Sequence, residues 1–367
     1  MKKMRTLQTV IAVMLLTAFW ACNPASKEDK TVEVREVWSV EQAQAWGEQQ
    51  PWLRGSNFNP STAINQLETW QAESFDPETI DRELGFAEDI GFNLMRVYLH
   101  HLAWQVDREG FKSRMDQYLE IADNHGIKTM FVFFDDCWQN SYAAGKQPDP
   151  KPGVHNSGWV QDPGTLIFED STLMDTLELY VKDVMTAFAD DERVLVWDLY
   201  NEPGNQVRDN KSMALLENVF KWGREVNPSQ PLTVGVWIPT LTELNAYQLA
   251  NSDIITYHNY EVEEHHRTTV DSMLAFNRPV ICTEYMARTR GSRFENIMPI
   301  LQENNIGAIN WGFVAGKSNT IYAWDTPIED GSEPEVWFHD IFRTDGTPFS
   351  QDEIDLIKAL GEEADNL

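Results

Sequence analysis

Short β-branched or aromatic runs, each followed by a longer amphipathic stretch, recur along this chain, and that alternation constrains its fold more than any other feature. The apolar runs fall at 52–57, 93–99, 128–134, 194–200, 232–237, 254–258, 280–284 and 308–313. Helical patterns fall near 78–90, 111–125, 171–189, 211–226, 241–250, 264–276 and 293–304, with a last one at about 350–363. Capping signals such as Asp76-Pro77-Glu78 and Asp170-Ser171 open several of them. Strand–helix alternation gives parallel strands with helices outside. Eight such units in a chain of 367 residues close into a single (β/α)8, or TIM, barrel more readily than they form an open sheet.

The ends of the chain read differently. Lys2, Lys3 and Arg5 precede an apolar run over 10–21 that is too short to cross a bilayer comfortably. Ala21-Cys22 after such a run resembles a bacterial lipoprotein signal. Residues 1–22 are therefore expected to be a signal peptide, with Cys22 the lipidated first residue. The polar stretch 23–37 is expected to be a flexible tether, and 38–367 the barrel domain. This implies an exported protein, periplasmic or surface-anchored through its lipid, or else secreted. Of the other cysteines, Cys282 lies in an expected core strand beside no obvious partner for Cys137, so no disulfide framework is expected. The formal net charge of −29 excludes nucleic acid as a natural partner, because a phosphate backbone needs a basic face. A neutral polymer such as a carbohydrate meets no such barrier.

Two of the strand runs deliver a glutamate at their C-terminal end. One reads Trp197-Asp198-Leu199-Tyr200-Asn201-Glu202-Pro203, the other Val280-Ile281-Cys282-Thr283-Glu284-Tyr285. Barrel enzymes place their chemistry at that face. Two carboxylates across one gap there suit cleavage of an acetal. Glu202 would protonate the poor leaving oxygen and later act as base, and Glu284 would attack the anomeric carbon. Asn201 can hydrogen-bond a sugar 2-hydroxyl, and Arg96 at another strand end can keep a carboxylate charged. The long connections 135–170 and 314–349 follow the third and eighth runs and are placed to wall a pocket.

Taken together, these positions resemble clan A of the glycoside hydrolases, and within it family five, the cellulase and mannanase type, over about residues 50–325. The resemblance implies that Arg96 steadies the nucleophile Glu284 and that Asn201 and Glu202 are the asparagine and acid/base pair. It further implies that His258 and Tyr260 are the histidine-x-tyrosine after strand six, and that Trp311 floors the first sugar subsite. One position departs: where the family usually carries a histidine after strand three, this chain reads Phe133-Phe134-Asp135-Asp136-Cys137-Trp138.

Around this centre, Asp135 and Asp136 are candidates for sugar hydroxyls or, alternatively, for loop capping. Trp138, like Trp104, Trp159, Trp237 and Trp324, is a candidate to stack on a sugar face or simply to pack. Arg288, Arg290 and Arg293 either meet an anionic group on a glycan or form a solvated run. Neither His100-His101 nor His265-His266 is expected to make a metal site, because neighbouring side chains on a strand end or helix diverge. No metal and no organic cofactor is implied. The expectation is a retaining β-glycoside hydrolase acting on a plant- or algal-type glycan. The alternative is a non-catalytic, glycan-binding surface lipoprotein on the same scaffold.

Overall fold

Runs rich in Val, Ile, Phe and Tyr become strands where both faces can be buried. In the computed structural model, which describes residues 34–366, these are β1 (Arg54–Phe58), β2 (Leu94–Tyr98), β3 (Lys128–Asp135) and β4 (Val194–Asn201), followed by β5 (Leu232–Thr233), β6 (Ile255–His258), β7 (Val280–Glu284) and β8 (Gly307–Asn310). The signal segment with Cys22, and the tether through residue 33, lie outside the described residues. All strand pairs are parallel, in the order β5-β4-β3-β2-β1-β8-β7-β6. The ring is drawn shut by a single bridge between Val236 and Tyr257, where His258 N donates to Val236 O at 2.9 Å. The chain is a single (β/α)8 barrel. The expected strand at 232–237 shrinks to two residues, because beyond Thr233 only Val236 regains a partner.

The helices are α1 (Val40–Gly47), α2 (Gln66–Trp70), α3 (Pro77–Asp89), α4 (His101–Val106), α5 (Arg108–Asn124), α6 (Leu173–Ala187), α7 (Met213–Val226), α8 (Thr242–Asn251), α9 (Glu263–Leu274), α10 (Phe294–Glu303) and α11 (Gln351–Asp365). Their starts follow local chemistry. Ser39 and Gln42 form a capping box on α1, and Asp76 accepts from Thr79 N ahead of Pro77 on α3. The short α1, α2 and α4 are the ones that periodicity alone does not announce.

Two apolar layers hold the barrel. The larger lies between the sheet and the helices, with Trp70, Trp197 and Trp222 among its buried members. A separate cluster plugs the interior with one residue from each of seven strands or their leads: Leu53, Leu94, Met130, Val196, Ile254, Ile281 and Ile309. Truncating a plug residue such as Leu94 to alanine would cost about 2–5 kcal/mol.

The last described part of the expected tether, 34–37, is held on the barrel. Arg35 pairs with Asp253, donates to Pro228 O at 2.7 Å and lies over Trp38. At the other end Asp365 pairs with Arg54 at 2.7 Å. Both attachments are at the base of the barrel, where the helices feed back into the strands.

Candidate active site

Side chains alternate faces along a strand, so the residues two positions beyond the plug also point inward. There the interior turns from apolar to polar in one step: Leu94 gives way to Arg96, Val196 to Asp198, Ile254 to Thr256, and Ile281 to Thr283. Arg96 is fully buried, which a guanidinium tolerates only with partners at every nitrogen. Its Nε and Nη2 donate to Asp198 Oδ2 at 2.9 and 2.8 Å, and Nη2 also reaches Asn201 Oδ1 at 2.7 Å. Its Nη1 donates to Asn57 Oδ1 at 2.8 Å and to Glu284 Oε1 at 2.9 Å.

Glu284 ends β7 and is 5% exposed. Its Oε1 also accepts from the Tyr98 hydroxyl at 2.9 Å, and its Oε2 accepts from the Tyr260 hydroxyl at 2.8 Å. An ionised carboxylate, which only accepts, serves all three donors at once. β6 and β7 pair His258 with Glu284 after a register shift, which brings His258 Nδ1 to 3.4 Å from Glu284 Oε2.

Glu202 follows β4 directly and takes a left-handed φ of 46°, a backbone state that costs about 1–3 kcal/mol in a residue with a Cβ. The turn aims its carboxyl back over the barrel mouth. Oε1 lies 2.8 Å from His258 Nδ1, and Oε2 accepts from the Cys137 thiol at 3.2 Å and from the Asn205 amide. Burial pushes the Glu202 carboxyl above its ordinary value, against the pull of those donors and of Arg96. Burial likewise lowers His258 to about 4, so the imidazole between the two glutamates is neutral near pH 7. One oxygen of Glu202, one of Glu284 and a nitrogen of His258 all lie within 4.8 Å of one another.

A cavity of about 1100 Å³ opens over these groups. At one end aromatic faces surround it. Trp311, just past β8, stands edge-on to Tyr98 and Trp159, and Tyr260 stands edge-on to Trp324 at 4.8 Å. Trp138, with a left-handed φ of 68°, leans on His155 and also lines the space. The cavity then continues past Trp237 into the seam between α8 and α9. Thr242, Asn245 and Leu249 on one helix, with His265, Thr269 and Met273 on the other, repeat at three- and four-residue steps and so each form one face.

The expected site residues therefore divide. Glu202, His258, Tyr260, Glu284, Trp138 and Trp311 line the cavity, and Arg96 and Asn201 lie behind them. Asp135 and Asp136 do not meet sugar hydroxyls: they are 1% and 0% exposed. Asp135 accepts from Asn201 Nδ2, Trp159 Nε1 and Cys137 N at 2.9, 2.7 and 2.9 Å, so it fixes the side chains that face the cavity. Asp136 is clamped by Arg208 and Ser212, accepts from Tyr200 and Gly204 N, and so holds the turn that carries Glu202. Arg288 is not part of a solvated run. It is buried against Glu353 and three carbonyls, whereas Arg290 and Arg293 are exposed.

The His100–His101 pair also departs from expectation. His100 caps α4 and His101 begins it, so the two rings stack 5.2 Å apart and approach the buried Asp162 together. Their nitrogens are largely committed. His100 Nδ1 accepts from Leu102 N, His100 Nε2 faces Gln161 O, and His101 Nδ1 is bonded to Asp162. The Glu202–His258–Glu284 atoms are close enough to share a cation, but Arg96 already places a fixed positive charge on Glu284. His265 and His266 do diverge: His266 is buried beside the Tyr257 hydroxyl, and His265 lines the cavity.

Sequence reasoning did not single out Tyr98, Asp198, Asn57 or Asn205. Tyr98 was within reach, since it lies two residues beyond Arg96 on the same inward face. Asp198 was too, as a lone acid in an apolar strand that needs a buried cation.

Residues 54–316 match the family described as cellulase (glycosyl hydrolase family 5). No curated relative matches the sequence. Among solved structures, the chain is similar to an exo-β-1,4-mannosidase from Opitutaceae bacterium strain TAV5 (TM-score 0.61, 16% identity, 85% of this chain and 60% of that one). It is also similar to the endo-β-1,4-mannanase of Thermotoga petrophila (TM-score 0.57, 14% identity, 87% and 78%). A third is the GH5_18 protein of Streptomyces cattleya in complex with Manβ1-4GlcNAc (TM-score 0.58, 12% identity, 86% and 81%). At such identities the likeness is one of fold.

Proposed function

The chain belongs to glycosyl hydrolase family 5 and is an O-glycosyl hydrolase, and we propose that it cleaves β-glycosidic bonds with net retention, Glu284 acting as nucleophile and Glu202 as acid/base. The observation that carries this reading is the pairing of two carboxylates whose oxygens approach within 4.8 Å in opposite surroundings. Retaining enzymes hold their carboxyls about 5–5.5 Å apart, whereas inverting ones need roughly 6.5–9.5 Å to admit a water. In the first step a Glu284 oxygen bonds to the anomeric carbon while the glycosidic C–O bond breaks, and the Glu202 proton passes to the leaving oxygen. In the second step Glu202, now ionised, takes a proton from water, the water oxygen bonds to the anomeric carbon, and Glu284 leaves.

The substrate we propose is a β-mannoside-bearing poly- or oligosaccharide of the plant or algal kind. Support comes from the mannanase, mannosidase and Manβ1-4GlcNAc descriptions of the structural neighbours, and from an aromatic-walled end beside Trp311 that suits the apolar face of a pyranose. A panel of β-manno-, gluco-, xylo- and galacto-oligosaccharides, with product analysis by chromatography and anomer assignment by proton NMR, tests this. Release of a β-anomer first from manno-oligosaccharides is expected. Release of the α-anomer would overturn retention. Binding without any release would favour the non-catalytic glycan-binding reading.

We further propose export to the cell envelope with lipid on Cys22. Metabolic labelling with a fatty acid that is lost in Cys22→Ala would support it, and equal labelling of both forms would refute it.

A further inference from the structure

The stretch after β3, where this chain departs from its family pattern, supplies one of the contacts to the acid/base glutamate. Cys137 is 9% exposed, lines the cavity, and points its Sγ at Glu202 Oε2, 3.2 Å away. Around the sulfur, Asn205 Nδ2 donates at 3.3 Å and Asn201 Nδ2 at 3.5 Å, while Asn205 also donates to Glu202 Oε2. The Cys137 backbone is itself fixed, because its N donates to Asp135 Oδ1, the same oxygen that accepts from Asn201. The thiol thus closes a hydrogen-bonded ring through Glu202 and Asn205, with Asn201 as a further donor to the sulfur.

We propose that Cys137 is a positioning residue for the acid/base step, its S–H donated to Glu202 Oε2 so that the carboxyl is held in one rotamer by a deliberately weak donor. This rests on the reading of Glu202 given above. The physical case is a balance. Any donor to a carboxylate stabilises the ionised form, and a strong one strips the proton that the acid must deliver. A thiol orients the group with less of that pull than a hydroxyl in its place would exert, because sulfur is the poorer donor, and burial outweighs the pull it has on Glu202. The thiol keeps its hydrogen, since burial pushes it well above its usual range, with Asp135, Glu202 and Glu284 adding to the shift. The other groups that bear on Glu202 are His258 at the end of β6, Tyr260 just after it, Arg96 on β2 and Asn205 in its own turn, while Glu284 on β7 and Asp198 on β4 act on His258. Cys137, unlike His258, Tyr260 and Arg96, can be changed without removing a neighbour of Glu284.

The test uses Cys137→Ser and Cys137→Ala in the full chain. Two quantities are read: the basic limb of kcat/KM against pH, with the fastest oligosaccharide of the panel, whose leaving group needs the proton, and the ionisation of Glu202 itself by carboxyl ¹³C NMR. Serine, a stronger donor, is expected to move both to lower pH by roughly half a unit, and alanine, with no donor, to move both to higher pH by a similar amount. Shifts of the same sign in both variants, or no shift in either, would overturn the proposal, since packing damage changes kcat without ordering the limbs. If the NMR ionisations separate in the expected order while the rate limbs stay together, the contact stands and the assignment of Glu202 as acid/base falls instead.

Discussion

Glu202 and Glu284 stand within hydrogen-bond reach of one imidazole, yet their surroundings have little else in common. Glu284 is gripped by Arg96, Tyr98 and Tyr260, three oriented donors, one of them a permanent cation. Glu202 has a thiol, an amide and a neutral imidazole around it, and burial raises its proton affinity. The lesson is that identical side chains are made chemically different by what is packed against them. The donors that set Glu284 apart arrive from β2 and from the turn after β6. Those that touch Glu202 come from the end of β3, from its own turn and from the end of β6.

That division makes ranked demands. The largest effect belongs to Glu284→Ala, expected to lower kcat on every glycoside, activated or not, by more than about 10⁴-fold, because no covalent intermediate can form. Rescue by azide giving the α-glycosyl azide would mark the lost nucleophile in a product assay. Glu202→Gln comes next, with a loss of about 10²–10⁴-fold on natural oligosaccharides and much less on aryl glycosides whose leaving group needs no proton. Equal losses on both substrate kinds would erase the distinction between the two carboxyls. Tyr98→Phe removes one donor of Glu284 and leaves the ring packed on Trp159 and Trp311. It is expected to cost about tenfold in kcat, with KM little changed, in steady-state assays.

The smallest effect concerns stability. Glu202 binds its proton more tightly folded than unfolded, so its contribution is complete below the ordinary glutamate value and is lost as pH rises through the raised folded value. Glu202→Gln carries no such penalty. It is expected to melt about 1–3 °C above the parent at alkaline pH, with a smaller gap near pH 4, in thermal scans across pH. A gap independent of pH would show that Glu202 is not strained by its charge.

The barrel was legible because most strand runs are rich in apolar residues and some helix starts, such as those of α1, α3 and α11, carry a side-chain cap. β7 appears at 280–284, as its residues suggested. β5 was overread, since Leu232 to Trp237 looks uniformly strand-like while the number of ladder partners depends on how the ring closes, which no local pattern encodes. In the site, strand-end residues such as Glu202, Glu284 and Arg96 could be placed by counting. The roles of Asp135 and Asp136 could not. The Asp136–Arg208 clamp joins positions 72 residues apart, and only the folded loops show that these acids support the floor of the site. The stacking of His100 on His101 was hidden for a related reason: a helix starts between them where a continuing strand would have parted them.

Arg35 and Asp365, near the two ends of the described chain, come to rest at the same pole, far from the carboxylates. An enzyme gripped by its stem can be mounted from either terminus, on a bead, a fusion partner or a surface, with its opening left free for a bulky polymer. Joining those termini and recutting the ring in a loop around the rim would, by contrast, put the new ends where substrate must pass.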